Sequence, residues 1–242
     1  MDPGSSVRRT AYTIRAGGSS LFTLRVDGRR RFDAASIAEV VDLVLWDVYD
    51  RAFRRAGGRI VLHAALASRR ARGVLLPGPP DAGKTTLVAG LVRAGFAYLS
   101  DEAAVFDPET GRFHAFPRPL GMEVSALHLF PGLERRLPPE LRESDRKTRH
   151  VPATAIRPRS IGSSCRVRLV VVPEYREGAV TDLAPMSRAE TLMLLSKSAF
   201  APERFASHGL ERMARALAKA DCFRLRTGSL EGAVKTVTSL IA

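Results

Sequence analysis

The chain is expected to fold as a mixed α/β domain behind a small β-rich N-terminal portion. Three observations lead there. Apolar runs of strand length alternate with segments of helical period along most of the sequence. A glycine loop, Gly78 to Thr86, joins one such run to one such helix. The stretch from Arg166 to Val172 is strongly β-branched, as a buried strand should be. A length of 242 residues suits one sizeable domain with an appendage, divided here as 1–58 and 59–242.

In the N-terminal portion, Tyr12–Arg15 and Leu21–Val26 read as strands around the Gly17-Gly18 turn. A second turn at Asp27-Gly28 leads to Arg29–Phe32. Asp33 is placed as the cap of a helix running to about Arg55, with Ile37, Val40, Val41, Val44, Val48 and Ala52 on its apolar face. Gly57-Gly58 ends it. Arg59–Ala64 is a strand with His63 near its end, and Ser68–Gly73 is a basic turn. Gly73–Pro77 is a short buried strand entering the glycine loop. The helix after the loop spans Thr85 to Ala94, with Leu87, Val88, Leu91 and Val92 on one side and Gly95 as its stop.

Phe96–Ser100 then forms a strand ending at Asp101-Glu102, and Ala103–Phe106 continues it to the turn at Asp107–Gly111. Pro117 to Ile161 has no clear period and is assigned to a mobile substrate loop. Ser187-Arg188-Ala189-Glu190 is a capping box opening a helix to about Ser198. A helix near Ala206–Ala220, a strand at Cys222–Leu225 and a helix from Leu230 to Ile241 follow.

The loop carries the chemistry. Gly78, Asp81, Ala82, Gly83, Lys84, Thr85 and Thr86 fit the pattern G-x-x-x-x-G-K-[ST], whose backbone N–H groups wrap nucleotide phosphates. Lys84 would reach the outer phosphates. The Thr85 hydroxyl would join water and phosphate oxygens around Mg²⁺. Asp81 stands where many such loops have glycine; Asp tolerates left-handed backbone, and its side chain is expected to point outward. Asp101 and Glu102 follow Lys84 by 17 and 18 residues, at a strand end that should face the phosphates. Holding Mg²⁺ and taking a hydroxyl proton is the natural work of such a pair, and a helix cap or surface ion pair is the plain alternative. His63 lies 15 residues before Gly78, beside the same pocket.

Composition excludes several classes. No apolar stretch reaches membrane-span length, since Ile37–Trp46 is broken by Glu39 and Asp42. Met1–Ser6 lacks signal-peptide character and is expected to fray. Cys165 and Cys222 have no metal or redox spacing, which fits a reducing cytoplasm. The net charge of +13 is arginine spread along the chain without interleaved aromatics, so no nucleic-acid surface is read from it. A base composition rich in G and C gives the same bias, and an acidic partner is the other source.

Leu62–Ala65, Gly78–Thr86 and Gly95–Glu102 together resemble the catalytic domain of HPr kinase/phosphorylase, most of all its shortened relatives. Leu183–Glu190 and Phe223–Leu230 are similar to a later helix start and the final strand and turn of those relatives. The resemblance implies a P-loop kinase core related in fold to phosphoenolpyruvate carboxykinase. It implies ATP and Mg²⁺ as cofactors, Asp101 as general base, Thr85 and Glu102 on the metal, and His63 and Lys84 beside the transferring phosphate. The family's glycine-rich signature, tied to dephosphorylation, has no match at Met122–Leu127, and its separate N-terminal domain is replaced by 1–58.

The expected function is therefore a cytoplasmic ATP-dependent kinase acting on a Ser/Thr hydroxyl of a peptide or small protein, in which the basic run Arg146–His150 could meet phosphate or an acidic substrate. The alternatives are a small-molecule kinase, for instance of free serine, and a non-catalytic nucleotide-sensing module. Room is left for a homo-oligomer.

Overall fold

The computed structural model describes residues 9–17, 21–55, 57–139 and 147–241. The expectations for Met1–Ser6, Gly18 and Arg146 lie outside those residues. Contacts divide the chain between Gly57 and Gly58 into two units.

The first unit pairs β1 (Tyr12–Ala16), β2 (Phe22–Val26) and β3 (Arg29–Ala34) in an antiparallel meander. Asp27 and Gly28 take φ of +51° and +79°, the two left-handed positions that a tight hairpin requires. Helix α1 (Ile37–Arg54) is capped by Ser36, whose hydroxyl accepts from the Glu39 N–H. Asp33 is not the cap: it stays in β3, bonded to Thr23 and Arg30. The expected apolar face of α1 is also corrected. Val40 is buried, but Ile37, Val41 and Val48 are exposed, and the buried position one heptad on from Val40 holds Asp47.

Asp47 accepts from the Tyr12 hydroxyl at 2.7 Å and from Arg51 Nε at 2.5 Å. Burial pushes this carboxyl up. The Tyr12 and Arg51 hydrogen bonds, with the charges of Arg51 and Arg31, more than offset that and hold it below the usual aspartate value. A carboxyl depressed by folding stabilises above its unfolded pKa of about 3.9 and loses that contribution as pH falls through the folded value. Acid should therefore weaken this unit below about pH 4, and Asp47→Asn should flatten that part of the curve. Trp46, the only tryptophan in the chain, lies in this unit and reports its unfolding by fluorescence. An unchanged pH slope in the variant would remove Asp47 from the explanation.

The second unit is built on an eight-stranded mixed sheet. Its centre is β5 (Arg72–Pro77), antiparallel to β4 (Ile60–Arg69) on one side and parallel to the long β11 (Ser164–Tyr175) on the other. Beyond β11 come parallel β13 (Asp221–Thr227) and antiparallel β12 (Asp182–Pro185). β4 changes partner along its length: Ile60–His63 pair with β7 (Ala103–Asp107), and Leu66–Ser68 pair with β6 (Ala97–Ser100). β8 (Arg112–His114) joins β7 to the start of β11. The chain pauses at Asp101-Glu102 between β6 and β7. That break sits on the same sheet edge as the end of β5, because β4 is antiparallel to both β5 and β6.

His63 is the fourth residue of β4, which continues to Arg69; the expected turn at Ser68–Gly73 shrinks to Arg70-Ala71. Both turn residues have positive φ, +51° and +62°, in the conformation glycine usually supplies.

Helix α2 (Lys84–Arg93) covers one face of the sheet with α7 (Leu230–Leu240). The two approach closely at Gly90, where a Cβ would come 2.7 Å from a Val234 methyl. The same layer contains much of the segment expected to be a mobile loop. There β9 (Leu120–Glu123) pairs with β10 (Thr148–Val151), and 3₁₀ turns at Val124–Leu129 and Glu134–Arg136 and the short α3 (Ala153–Ile156) pack beside them. Leu120, Met122, Leu127, Phe130, Leu133 and Val151 are buried core residues, so this stretch is structural over most of its described length.

The opposite face is covered by α4 (Arg188–Lys197), opened by the full Ser187–Glu190 capping box, and by α5 (Pro202–Arg204), a π-helical turn (Phe205–Gly209) and α6 (Leu210–Ala216). Among the described residues, no helix is long and apolar enough to cross a membrane.

Candidate active site

Gly78 to Gly83 connect the buried end of β5 to the first turn of α2. Gly83 caps the helix in a left-handed conformation, φ +88°. This leaves the first N–H groups of α2 without a side-chain cap and free for an anion. Asp81 also takes a left-handed φ, +62°, and its side chain is exposed. Tyr175, at the end of β11, stands against the loop: a Cβ on Gly83 would lie 3.5 Å from the Tyr175 Cβ. Thr85 and Thr86 are half-buried on the first turn of α2.

Lys84 is buried and folded back over the loop, its Nζ donating to the carbonyls of Gly78 at 2.9 Å and Pro79 at 2.7 Å. Burial lowers its pKa, and the charges of Glu102, Asp81 and Asp101 oppose that only in part.

At the adjacent break, Asp101 is buried and bound by three donors. Its Oδ1 accepts from Arg118 Nε at 3.3 Å, and its Oδ2 accepts from the Gly121 N–H at 3.1 Å. The Tyr98 hydroxyl lies 3.0 Å from Asp101 Oδ1 and 2.9 Å from the Arg118 carbonyl, so one donor serves two acceptors. Burial and then the Asp101 charge push the Tyr98 phenol far up, which keeps it a donor. Glu102 is more open. Its Oε2 accepts from Arg118 Nη2, and its Oε1 lies 3.9 Å from His63 Nδ1. The backbone fixes the pair, since the Ala64 N–H donates to the Glu102 carbonyl at 3.1 Å and the Ser100 hydroxyl accepts from the N–H groups of Glu102 and Ala103.

His63 is half-buried, with its ring edge-to-face against Phe200 at 6.0 Å. Burial, and behind it the Lys84 charge, lowers its pKa, so the ring is neutral at neutral pH. The structure therefore brings His63, Lys84, Asp101 and Glu102 to one edge of the sheet with the loop. Three residues of this cluster were not anticipated in a site role: Tyr98, Arg118 and Gly121. Arg118 lies in a stretch without period, and nothing in its spacing points to Asp101.

Thr85 and Glu102 offer hard oxygen donors, the chemistry Mg²⁺ prefers beside phosphate and water. Among the described residues no cluster of three or more His, Cys, Asp or Glu could hold a metal by itself, so such an ion would depend on the phosphates for most of its shell. Cys165 plays no part: it is buried and its thiol is pushed up to about 12 by burial.

No protein-family model matches the sequence, and no curated protein matches it. Among solved structures, the chain is similar to the Hpr(Ser) kinase/phosphatase from Coxiella burnetii at 10% identity, with 75% of this chain and 93% of that chain covered and a TM-score of 0.38.

Proposed function

We propose that this chain is an ATP-dependent kinase that transfers the γ-phosphate to a serine or threonine hydroxyl of a peptide or small protein. One observation carries the reading. A G-x-x-x-x-G-K-T loop lies between a buried strand and a helix, and two carboxylates, Asp101 and Glu102, follow the strand that ends on the same edge of the sheet. That is the set of parts phosphoryl transfer uses: donors for the phosphates and a carboxylate for the hydroxyl.

In this reading the loop N–H groups bind the phosphates, and Lys84 exchanges its two carbonyl partners for phosphate oxygens. The acceptor oxygen bonds to the γ-phosphorus as the bond to the β–γ bridging oxygen breaks, and ADP leaves. The hydroxyl proton passes to Asp101, which must first release Arg118. Thr85 and Glu102 would hold Mg²⁺, which when bound neutralises charge on the phosphates. Neutral His63 can donate or accept a hydrogen bond beside them without adding charge.

The three donors on Asp101 favour a second reading, a module that binds nucleotide and transfers nothing. A panel of acceptors separates the possibilities. With an acidic Ser-containing peptide, the net charge of +13 should steer binding, so the acceptor KM rises with ionic strength while kcat changes little. A Lys-substituted peptide should be a poorer acceptor, and mass spectrometry reads the added phosphate. If free serine is the best acceptor and salt has no effect, the chain is a small-molecule kinase. If nucleotide binds and no acceptor gains phosphate, the sensing module stands in its place.

A further inference from the structure

The charge of the carboxylate pair is balanced from an unexpected quarter. Asp101 and Glu102 are neighbours in sequence at a tight break between strands, and Lys84 does not touch either of them: its Nζ rests on the loop carbonyls. The group that spans both carboxylates is the Arg118 guanidinium, through Nε to Asp101 and Nη2 to Glu102. Its side chain is 23% exposed and that of Asp101 is 2% exposed, so the pairing is poorly screened by water. The backbone around Arg118 is held by the same aspartate, through Tyr98 at the Arg118 carbonyl and directly at the Gly121 N–H. The guanidinium thus occupies Glu102 Oε2 and Asp101 Oδ1, so a cation bridging the two carboxylates through these oxygens would have to displace it.

We propose that Arg118 is a positioning latch: it holds Asp101 and Glu102 together, competes with divalent cations for them, and moves to phosphate oxygens when a metal–triphosphate enters. This rests on the kinase reading for the identity of the triphosphate. The chemistry suits arginine, whose planar fork pairs with carboxylate and phosphate alike and keeps its charge in both settings. The exchange swaps one ion pair for another and frees Asp101 Oδ1 of its charged partner, leaving the Tyr98 hydroxyl as its donor. It also reconciles a carboxylate bound by three donors with work as a base. A free divalent cation without a triphosphate offers Arg118 no new partner, so the latch should keep such ions out.

The test is Mn²⁺ binding without nucleotide, followed by electron paramagnetic resonance, in wild type, Arg118→Gln, and Arg118→Gln combined with Glu102→Gln. Arg118→Gln should bind Mn²⁺ at least about tenfold more tightly than wild type, and the Glu102→Gln combination should cancel the gain. A purely structural arginine would lower thermal stability and create no cation site. Should Arg118→Gln fail to fold, Arg118→Lys carries the test: a point charge cannot span both carboxylates, so Mn²⁺ affinity should still rise above wild type. A folded variant with wild-type Mn²⁺ affinity overturns the latch. Wild-type binding of Mg·ATP, measured beside it, separates the two ideas. Nucleotide binding with no Mn²⁺ gain sinks the latch alone. A Mn²⁺ gain in a protein that binds no nucleotide supports Arg118 as a cation barrier and sinks the kinase reading.

Discussion

Asp101→Asn is expected to keep Mg·ATP affinity and lower phosphoryl transfer by roughly two to four orders of magnitude, the usual contribution of a general base. The substitution keeps the shape of the side chain and removes the proton-accepting charge. It also disturbs the cluster around it. An asparagine has one acceptor oxygen, yet Arg118, Tyr98 and Gly121 all donate to Asp101. One amide hydrogen would have to face a donor, and the half-buried guanidinium would lose a counter-charge at its buried end. Breaking a buried pair from one side costs about 3–5 kcal/mol, so a lower melting temperature should accompany the kinetic loss. Single-turnover transfer at saturating Mg·ATP, measured well below the variant's melting temperature, isolates the chemistry. Near wild-type turnover would move the base to Glu102 or His63, and the open, 41% exposed side chain of Glu102 would be the first candidate.

The parts of this molecule written in local sequence were readable. Gly73–Pro77, the glycine loop and the amphipathic helix after it follow from neighbours in the chain, as does the Ser187–Glu190 capping box. The outward, left-handed Asp81 follows from backbone chemistry alone. What escaped depends on distant partners. Arg118 meets Asp101 across 17 residues of chain, at a place where no period marks it as pointing inward. Leu120, Met122, Leu127, Phe130 and Leu133 form core through short strands and 3₁₀ turns, and pieces of two or three apolar residues carry no helical or strand period. The face of α1 was misread because its buried centre holds Asp47, a charge that Tyr12, Arg51 and Arg31 make tolerable. β4 was cut short because Ser68 and Arg69 look like turn residues, whereas the actual reversal uses Arg70 and Ala71 without a glycine.

Lys84→Ala carries the second large effect, on binding itself. Lys84 is 7% exposed, and its ammonium already makes two hydrogen bonds inside the loop. On phosphate oxygens, each charge-assisted bond is worth about 1.5–3 kcal/mol, so losing one weakens binding by about 10- to 100-fold. The fold should survive, because the freed Gly78 and Pro79 carbonyls lie at a loop that water can reach and Leu87, Val88, Leu91 and Val92 still anchor α2. Calorimetric titration of Mg·ATP into wild type and Lys84→Ala, with circular dichroism establishing that both are folded, is the most direct test of a nucleotide site at this loop. The kinase reading predicts saturable binding to wild type and at least about a tenfold loss in the variant. A folded wild type that takes up no Mg·ATP, or a variant that binds it equally well, would contradict the account.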